Sequence, residues 1–472
     1  MSIHVMWFRK DFRLLDNQAL NLAIKQMTNA DRLVCVFQIN PQQYREGTAN
    51  HDYFFTTVKA FFDSHPELAV HYLFGDPLDS FKQLKNNYPD WDYLYFNEDE
   101  SLFGYQRDQQ VIEFCRDAGI QVSTKPDNYI HSAKVVVKDD GTPYRVFTPY
   151  YKKWLTLPVD LSNSHQADIG SVTIQKPQND QQKSGESAMS QLITKSQHDF
   201  LQEIGEDVAM RRLKKFLRTG LALYEKNRDI PSLDGTSYLS PYLKTGVLSI
   251  RVIWQLLIDC DESIGQITFM KELVWREFYK MIDVYHPEQR TKELQLHYQQ
   301  LPWRQNQHDL KKWAAGLTGF PLIDAAMRQL NTTGWMHNRL RMLTASFLTK
   351  DLLVDWRLGE AYFAAHLIDY DPASNVGGWQ WAASTGTDAV PYFRVFNPTT
   401  QSQKIDSEGI FIRRFLPELR DVPIKYIHEP HLMSKAEQEK AHCLIGKDYP
   451  LPMVNHKEAR ELTMQWFKQH KQ

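Results

Sequence analysis

The spacing of hydrophobic positions changes once along this chain. From Ile3 to about Thr124, short apolar runs (IHVMW, RLVCVFQ, AVHYLF, DYLYF and IQVST) alternate with longer stretches that bury a single face. Strand-length runs separated by helical pattern predict a parallel sheet with helices on both sides, a doubly wound α/β domain placed at 1–130. From about His131 to residue 199 the pattern weakens. KVVVKDDGTPYRVFTPYYKKWL carries an Asp-Gly turn and two prolines, and Gln175 to Ser190 is rich in Gln, Asn, Ser and Lys. A segment with so little to bury predicts an interdomain linker, partly flexible. From Phe200 the period becomes helical, starting with LQEIGEDVAMRRLKKFLRTGLALYEKNRD and continuing to near Trp466. That predicts an all-helical domain over 200–472.

At 472 residues the chain exceeds what one core serves, in keeping with two domains. Its 42% hydrophobic and 24% charged content is that of an ordinary globular protein. Cys35, Cys115, Cys260 and Cys443 lack metal-ligand spacing and fit a reduced, cytoplasmic setting. No apolar run has membrane-spanning length, so no membrane partner is expected. The net charge of −2 gives no field that announces nucleic acid; a DNA contact needs a local patch. Arg211, Arg212, Lys214 and Lys215, then Arg339 and Arg341, then Arg413 and Arg414 are the candidates, although such clusters are commonly solvated helix faces.

Five motifs carry chemistry. WFRKDFRLLDNQAL, Trp7 to Leu20, follows the first run where a glycine-rich phosphate loop would stand; Arg9, Asp11, Arg13 and Asp16 suit an ion-pair network at a strand end. GTSYLS, Gly235 to Ser240, places hydroxyls ahead of a helix, which serves equally as a cap cluster or a phosphate site. In FMKELVWREFYKMI, Phe269 to Ile282, Glu272 is followed at three, four and seven residues by Trp275, Arg276 and Tyr279, a mixed stripe suited to the wall of a planar-ligand pocket. In GWMHNRLRMLTASF, Gly334 to Phe347, Asn338, Arg341 and Met342 share a face and Arg339 points elsewhere. Finally, DYDPASNVGGWQWAASTGTDAVPYFRVFNP, Asp369 to Pro398, reads as turn, short helix, turn. Asn375 is the expected helix cap, Gly377 and Gly378 allow a tight turn or close approach, and Trp379 and Trp381 leave on opposite sides.

These motifs resemble those of the DNA photolyase/cryptochrome family over nearly the whole chain, most closely class I, the branch that repairs cyclobutane pyrimidine dimers. The resemblance implies FAD, fully reduced and anionic, that donates an electron under blue light to a dimer flipped out of the duplex. It implies a flavin site formed by Tyr224, Thr236, Ser237, Tyr238, Leu239, Ser240, Phe269, Glu272, Arg276, Arg341, Asp369, Tyr370, Asp371 and Asn375. Phe269 stands where many relatives carry tryptophan. Arg341 is paired with Asp369 beside the flavin. Arg228, Trp275, Arg276, Asn338, Arg339, Met342, Trp381 and Arg394 are implied at the DNA and lesion. Glu272 and Asn375 are implied as catalytic, the first hydrogen-bonding the dimer and the second beside flavin N5. Trp303, Trp356 and Trp379 fall where the family passes an electron from the surface to the flavin.

Asparagine at 375 matches repair enzymes, where many photoreceptors of the family carry aspartate or cysteine. The alternative is a blue-light flavin photosensor without repair activity. The resemblance further implies ultraviolet-damaged DNA as partner, a monomer, no metal, and a second antenna chromophore whose identity stays open. Phe103 and Gly104 replace the Asn-Glu pair of folate-binding relatives, so the folate contact motif is not matched.

Overall fold

A computed structural model describes residues 1–161, 164–177, 180–196, 198 and 203–470. Each of the five apolar runs forms a strand: β1 (Ile3–Phe8), β2 (Arg32–Ile39), β3 (His71–Phe74), β4 (Trp91–Asn97) and β5 (Gln121–Lys125). They pair in parallel in the order β3-β2-β1-β4-β5. β1 is central and buried at every position, as its unbroken run IHVMWF requires of a strand covered on both faces. Helices α1 (Gln18–Gln26), α2 (Ala49–Ser64), α3 (Pro77–Asn87) and α4 (Leu102–Asp117) lie between the strands in sequence.

The segment expected to be a flexible linker is structured where it is described. β6 (Thr173–Ile174) pairs with β2 at Arg32 and Leu33, and α5 (Asp180–Thr194) packs against β3. A side chain at Gly185 would stand 1.8 Å from Tyr72 O, so only glycine permits that approach. Met189 and Leu192 follow at helical spacing and are buried. A stripe this narrow leaves the rest of the helix polar, which explains the linker-like composition. The expected boundary between linker and helical domain, residues 199 and 200, lies outside the described residues.

Two compact units result. One comprises Met1–Pro143, Tyr150–Thr219 and Ser237–Val284, the other Tyr144–Pro149, Gly220–Thr236 and Tyr285–Gln472. After the sheet, the first unit takes in α6 (Glu206–Thr219), α7 (Ser240–Thr245), α8 (Ile250–Ile258) and nearly all of α9 (Ile264–Tyr285). The core of the second is built with α10 (Gln307–Ala315), α11 (Pro321–Thr333), α12 (Asn338–Ser346), α13 (Trp356–His366), α14 (Pro372–Ala382) and α15 (His456–His470).

The ion-pair reading of the first motif holds. Arg9 pairs with Asp108 at 2.5 Å. Arg13 and Arg251 both reach Asp127, at 2.6 and 2.7 Å, and Arg251 also pairs with Asp16 at 2.8 Å. Burial pushes the Asp127 carboxyl up, but the two guanidiniums hold it below its ordinary value. These contacts tie α8 to the end of β1 inside one unit.

Glu277, on the inner face of α9, accepts from Trp154 Nε1 and Ile130 N, both at 2.6 Å. Burial nevertheless raises its carboxyl from 4.5 to about 7. Between those values the folded chain holds a proton that the unfolded chain releases. Its contribution is therefore complete below about 4.5 and declines as pH rises through 7. Glu277→Gln removes that titration. Urea unfolding of parent and variant between about pH 4.5 and 8 should show the parent losing on the order of 1–3 kcal/mol more than the variant across the interval.

Candidate active site

Within the second unit, α12 and α14 carry the densest set of expected site residues. Arg341 Nη2 meets Asp369 Oδ2 at 2.8 Å, and Arg341 Nε donates to Met336 O at 2.8 Å. Asp369 has a side chain only 2% exposed, so it requires a cation. Arg339 leaves the helix in another direction and pairs with Asp229. Asn338 is exposed, and its Nδ2 lies 3.9 Å from Met342 Sδ one turn on. The predicted split of this helix, Arg341 to a buried acid and Arg339 elsewhere, is observed. His337 is the N-cap, its ring accepting from Arg339 N at 3.2 Å, and burial lowers it to about 4, which leaves it neutral.

α14 departs from expectation at its start. Asp371, not Asn375, is the cap, accepting from Ser374 N at 2.9 Å, with Pro372 at the first helical position. An aspartate followed by proline outcompetes an internal asparagine for that role. Asn375, Gly377 and Gly378 lie inside the helix rather than in a turn. Asn375 Nδ2 donates to Glu360 Oε1 at 3.0 Å, and Tyr370 Oη donates to the same oxygen at 3.1 Å. Glu360, on α13, is a site residue that no local pattern singles out. Trp379 is buried against Phe363 and Trp313, while Trp381 is half-buried with its ring 6.4 Å from that of Phe396. The two rings have different aromatic neighbours.

Also in this unit, Tyr224 is buried under the Arg228 guanidinium, 5.2 Å from its ring centroid. Arg394 is exposed in the loop after Pro391 and beside exposed Phe393. Its carbonyl accepts from Lys350 Nζ at 3.2 Å. Lys350 sits on the π-helical turn Phe347–Asp351 that ends α12, and burial lowers its ammonium to about 7. Among the tryptophans implied in electron transfer, Trp303 and Trp356 are buried as Trp379 is. Trp466, half-buried, packs over Trp303 with ring centroids 4.9 Å apart.

The first unit carries the rest. The chain passes from one unit to the other between Thr236 and Ser237. Ser237 Oγ accepts from Leu239 N, and Leu239 is buried. Tyr238 adopts a left-handed φ of 55°, strained for a tyrosine, beneath Arg212. Ser240 is exposed at the start of α7. On α9, Glu272, Trp275, Arg276 and Tyr279 form one half-buried face, while Leu273, Val274, Glu277 and Phe278 bury the other. Trp275 and Tyr279 lie 5.6 Å apart, and Arg276 donates to Asn128 O at 2.6 Å and covers Tyr129. Phe269 packs on Phe216.

Arg413 donates to the carbonyls of Glu408, Arg420 and Val422 and so closes a turn, while Arg414 beside it is exposed. At Gly104 a Cβ would stand 2.3 Å from Asp99 Cγ, so a larger residue there would require the Asp99 side chain to shift.

FAD can be tested against the residues present. The buried Thr236 Oγ1 has no hydrogen-bond partner within the protein. A Cβ at Gly378 would meet nothing within 4 Å, so the α14 backbone is open there. Asn375, with Nδ2 committed to Glu360, keeps an acceptor oxygen. An unpartnered hydroxyl, an open helix face and a fixed amide suit a flavin with its diphosphate.

Sheet, helices and cradle thus define a flavin-binding α/β plus α protein. Residues 4–167 match the family model described as DNA photolyase, and residues 269–469 match the FAD binding domain of DNA photolyase. A deoxyribodipyrimidine photo-lyase of Alkalihalophilus pseudofirmus is 44% identical, the match covering 99% of this chain and 98% of the relative. Among solved structures, a class III photolyase from Agrobacterium tumefaciens superposes with a TM-score of 0.90 at 32% identity, covering 100% of this chain and 98% of that one. A cryptochrome from Synechocystis gives 0.85 at 25%, covering 98% and 99%. The chain belongs to the DNA photolyase family.

Arg341→Met should take the Arg341 cation away from the buried Asp369 carboxylate and cost about 3 kcal/mol in chemical denaturation. Adding Asp369→Leu should recover most of that loss, because the charge then leaves with its partner. A double variant no more stable than the single would refute the pairing.

Proposed function

We propose that this chain repairs cyclobutane pyrimidine dimers in ultraviolet-damaged DNA with blue light, using bound, fully reduced FAD. The observation that carries the reading is the α12–α14 cradle, in which a neutral amide, Asn375, is fixed by Glu360 beside the Arg341–Asp369 pair. Full-length similarity to a deoxyribodipyrimidine photo-lyase supports the same reading. FAD supplies the electron that opens the cyclobutane ring and receives it back.

The protein's own work is binding, orientation and electrostatics. Thr236, Ser237, Tyr238, Leu239 and Ser240 hold the diphosphate, with Tyr224 beside it. Asp369, Tyr370, Asp371, Asn375 and Arg341 would hold the ring system, where the Asn375 amide, fixed through Nδ2 by Glu360, would offer an acceptor oxygen and no acidic proton. Trp275 and Trp381 stack on the flipped dimer, whose weakened pairing and stacking lower the cost of flipping. Glu272, by sharing a proton with the dimer, stabilises the negative charge that develops there. Arg228, Arg276, Asn338, Arg339, Met342 and Arg394 flank the lesion, and contacts of this kind position DNA with little sequence preference. Trp303, Trp356 and Trp379 would relay the electron that reduces oxidised flavin. Four free cysteines suit the reducing cytoplasm, and no helix among the described residues is long and apolar enough to cross a membrane.

The test is dimer content in ultraviolet-irradiated DNA after incubation with reduced protein, in blue light and in the dark. Loss in the light alone is expected. Dimers untouched by protein that has FAD bound and reduced would make this a photosensor instead.

A further inference from the structure

Glu293 lies between the end of α9 and Trp303, and no motif includes it. Its side chain is 2% exposed, inside an aromatic core. One oxygen, Oε1, accepts from Trp303 Nε1 at 2.8 Å and from Trp356 Nε1 at 3.2 Å. The other, Oε2, accepts from Arg357 Nη2 at 2.8 Å. A single carboxylate oxygen thus joins two of the three tryptophans assigned to electron transfer. The arrangement is also asymmetric. The Arg357 guanidinium lies over Trp356, 4.7 Å from the ring centroid, and is anchored by Asp355 at 3.0 Å and Thr291 O at 2.6 Å. Among the described residues no cation covers Trp303 in this way, and its neighbour is the Trp466 ring.

A neutral acceptor would satisfy two buried indole N–H groups at less desolvation cost than a carboxylate. The charge therefore calls for another explanation. A negative charge at the indole nitrogen makes a ring easier to oxidise, and a cation over its face makes it harder. Trp303 has the shorter bond to Glu293 and no covering cation; Trp356 has the longer bond and the cation. Both differences make Trp303 the easier to oxidise. Trp379 Nε1 is buried without a hydrogen-bond partner and lacks this help.

We propose that Glu293, together with Arg357, is a positioning residue that sets the oxidation order of Trp356 and Trp303, so that an electron vacancy entering at Trp379 comes to rest on Trp303. The inference rests on the electron-transfer role given above to the three tryptophans. One electron passes from Trp379 to photo-excited oxidised flavin, one from Trp356 to Trp379, and one from Trp303 to Trp356. A thiol in solution returns one electron to Trp303.

The experiment is flash photolysis of the oxidised holoprotein, following oxidised indole in the parent, Glu293→Gln, Glu293→Asp and Arg357→Gln. Glu293→Gln keeps an acceptor and removes the charge. Its long-lived oxidised indole should fall at least tenfold in lifetime, with flavin content unchanged. Glu293→Asp should restore part of the lifetime, and Arg357→Gln should lower the share of the vacancy found on Trp303. An ultraviolet resonance Raman readout is independent of flavin: the indole N–H bands lost in Trp303→Phe and Trp356→Phe should shift toward weaker hydrogen bonding in Glu293→Gln. A parent-like lifetime in Glu293→Gln, or, should that variant not fold, a parent-like share of the vacancy on Trp303 in Arg357→Gln, would overturn the inference and leave the tryptophan pathway standing. No indole oxidation in the parent, or oxidation undiminished in Trp379→Phe, would overturn the pathway and the inference together.

Discussion

The ion pair between Arg341 and Asp369 is the constraint on which the candidate site depends. It joins α12 to the turn that leads into α14, and each of those helices carries residues assigned to flavin and lesion. Asp369 is too deeply buried to stand without a cation, and Arg341 reaches it from one face of α12 while Arg339 leaves from another. With the turn fixed, Asp371 caps α14 and places Asn375 one turn along, where Glu360 holds its amide. Trp379 is then directed into the core and Trp381 to the half-buried side. One electrostatic contact sets the register of a helix whose individual side chains serve different purposes.

A second theme is charge placed where stability alone would not place it. Lys350 is a buried ammonium bonded to the carbonyl of Arg394. Glu293 is a buried carboxylate shared by two indoles. Replacement of such groups by apolar residues is often neutral or favourable for folding, so their presence is better explained by what they hold in place. Both lie in the second unit, around elements assigned to electron transfer and to the lesion.

Much of this was legible in the sequence, for identifiable reasons. All five strands follow from short runs with clear boundaries; of the five only the central β1 is buried at every position, whereas β5 at the sheet edge, QVSTK, is half-buried to exposed. The two-faced pattern of α9 and the split between Arg339 and Arg341 follow from helical geometry. The misreadings have equally local causes. α5 resembled a linker because it buries only a stripe through Gly185, Met189 and Leu192. Asn375 resembled a cap because the Asp371–Pro372 start, which takes that role, lay just ahead of it. Glu360, Asp229, Lys350 and Glu293 gave no signal, since each acts through a partner distant in sequence that only the fold brings near.

The central claim is that light absorbed by reduced FAD drives the chemistry on DNA while the protein binds and orients. Its most direct test is the action spectrum of dimer loss in reduced holoprotein, measured per absorbed photon across the near ultraviolet and blue. The account predicts a spectrum that follows the absorption of bound reduced flavin, together with any antenna pigment bound, and no dimer loss in the dark. Dimer loss that proceeds without light, or that ignores the flavin's absorption, would contradict it.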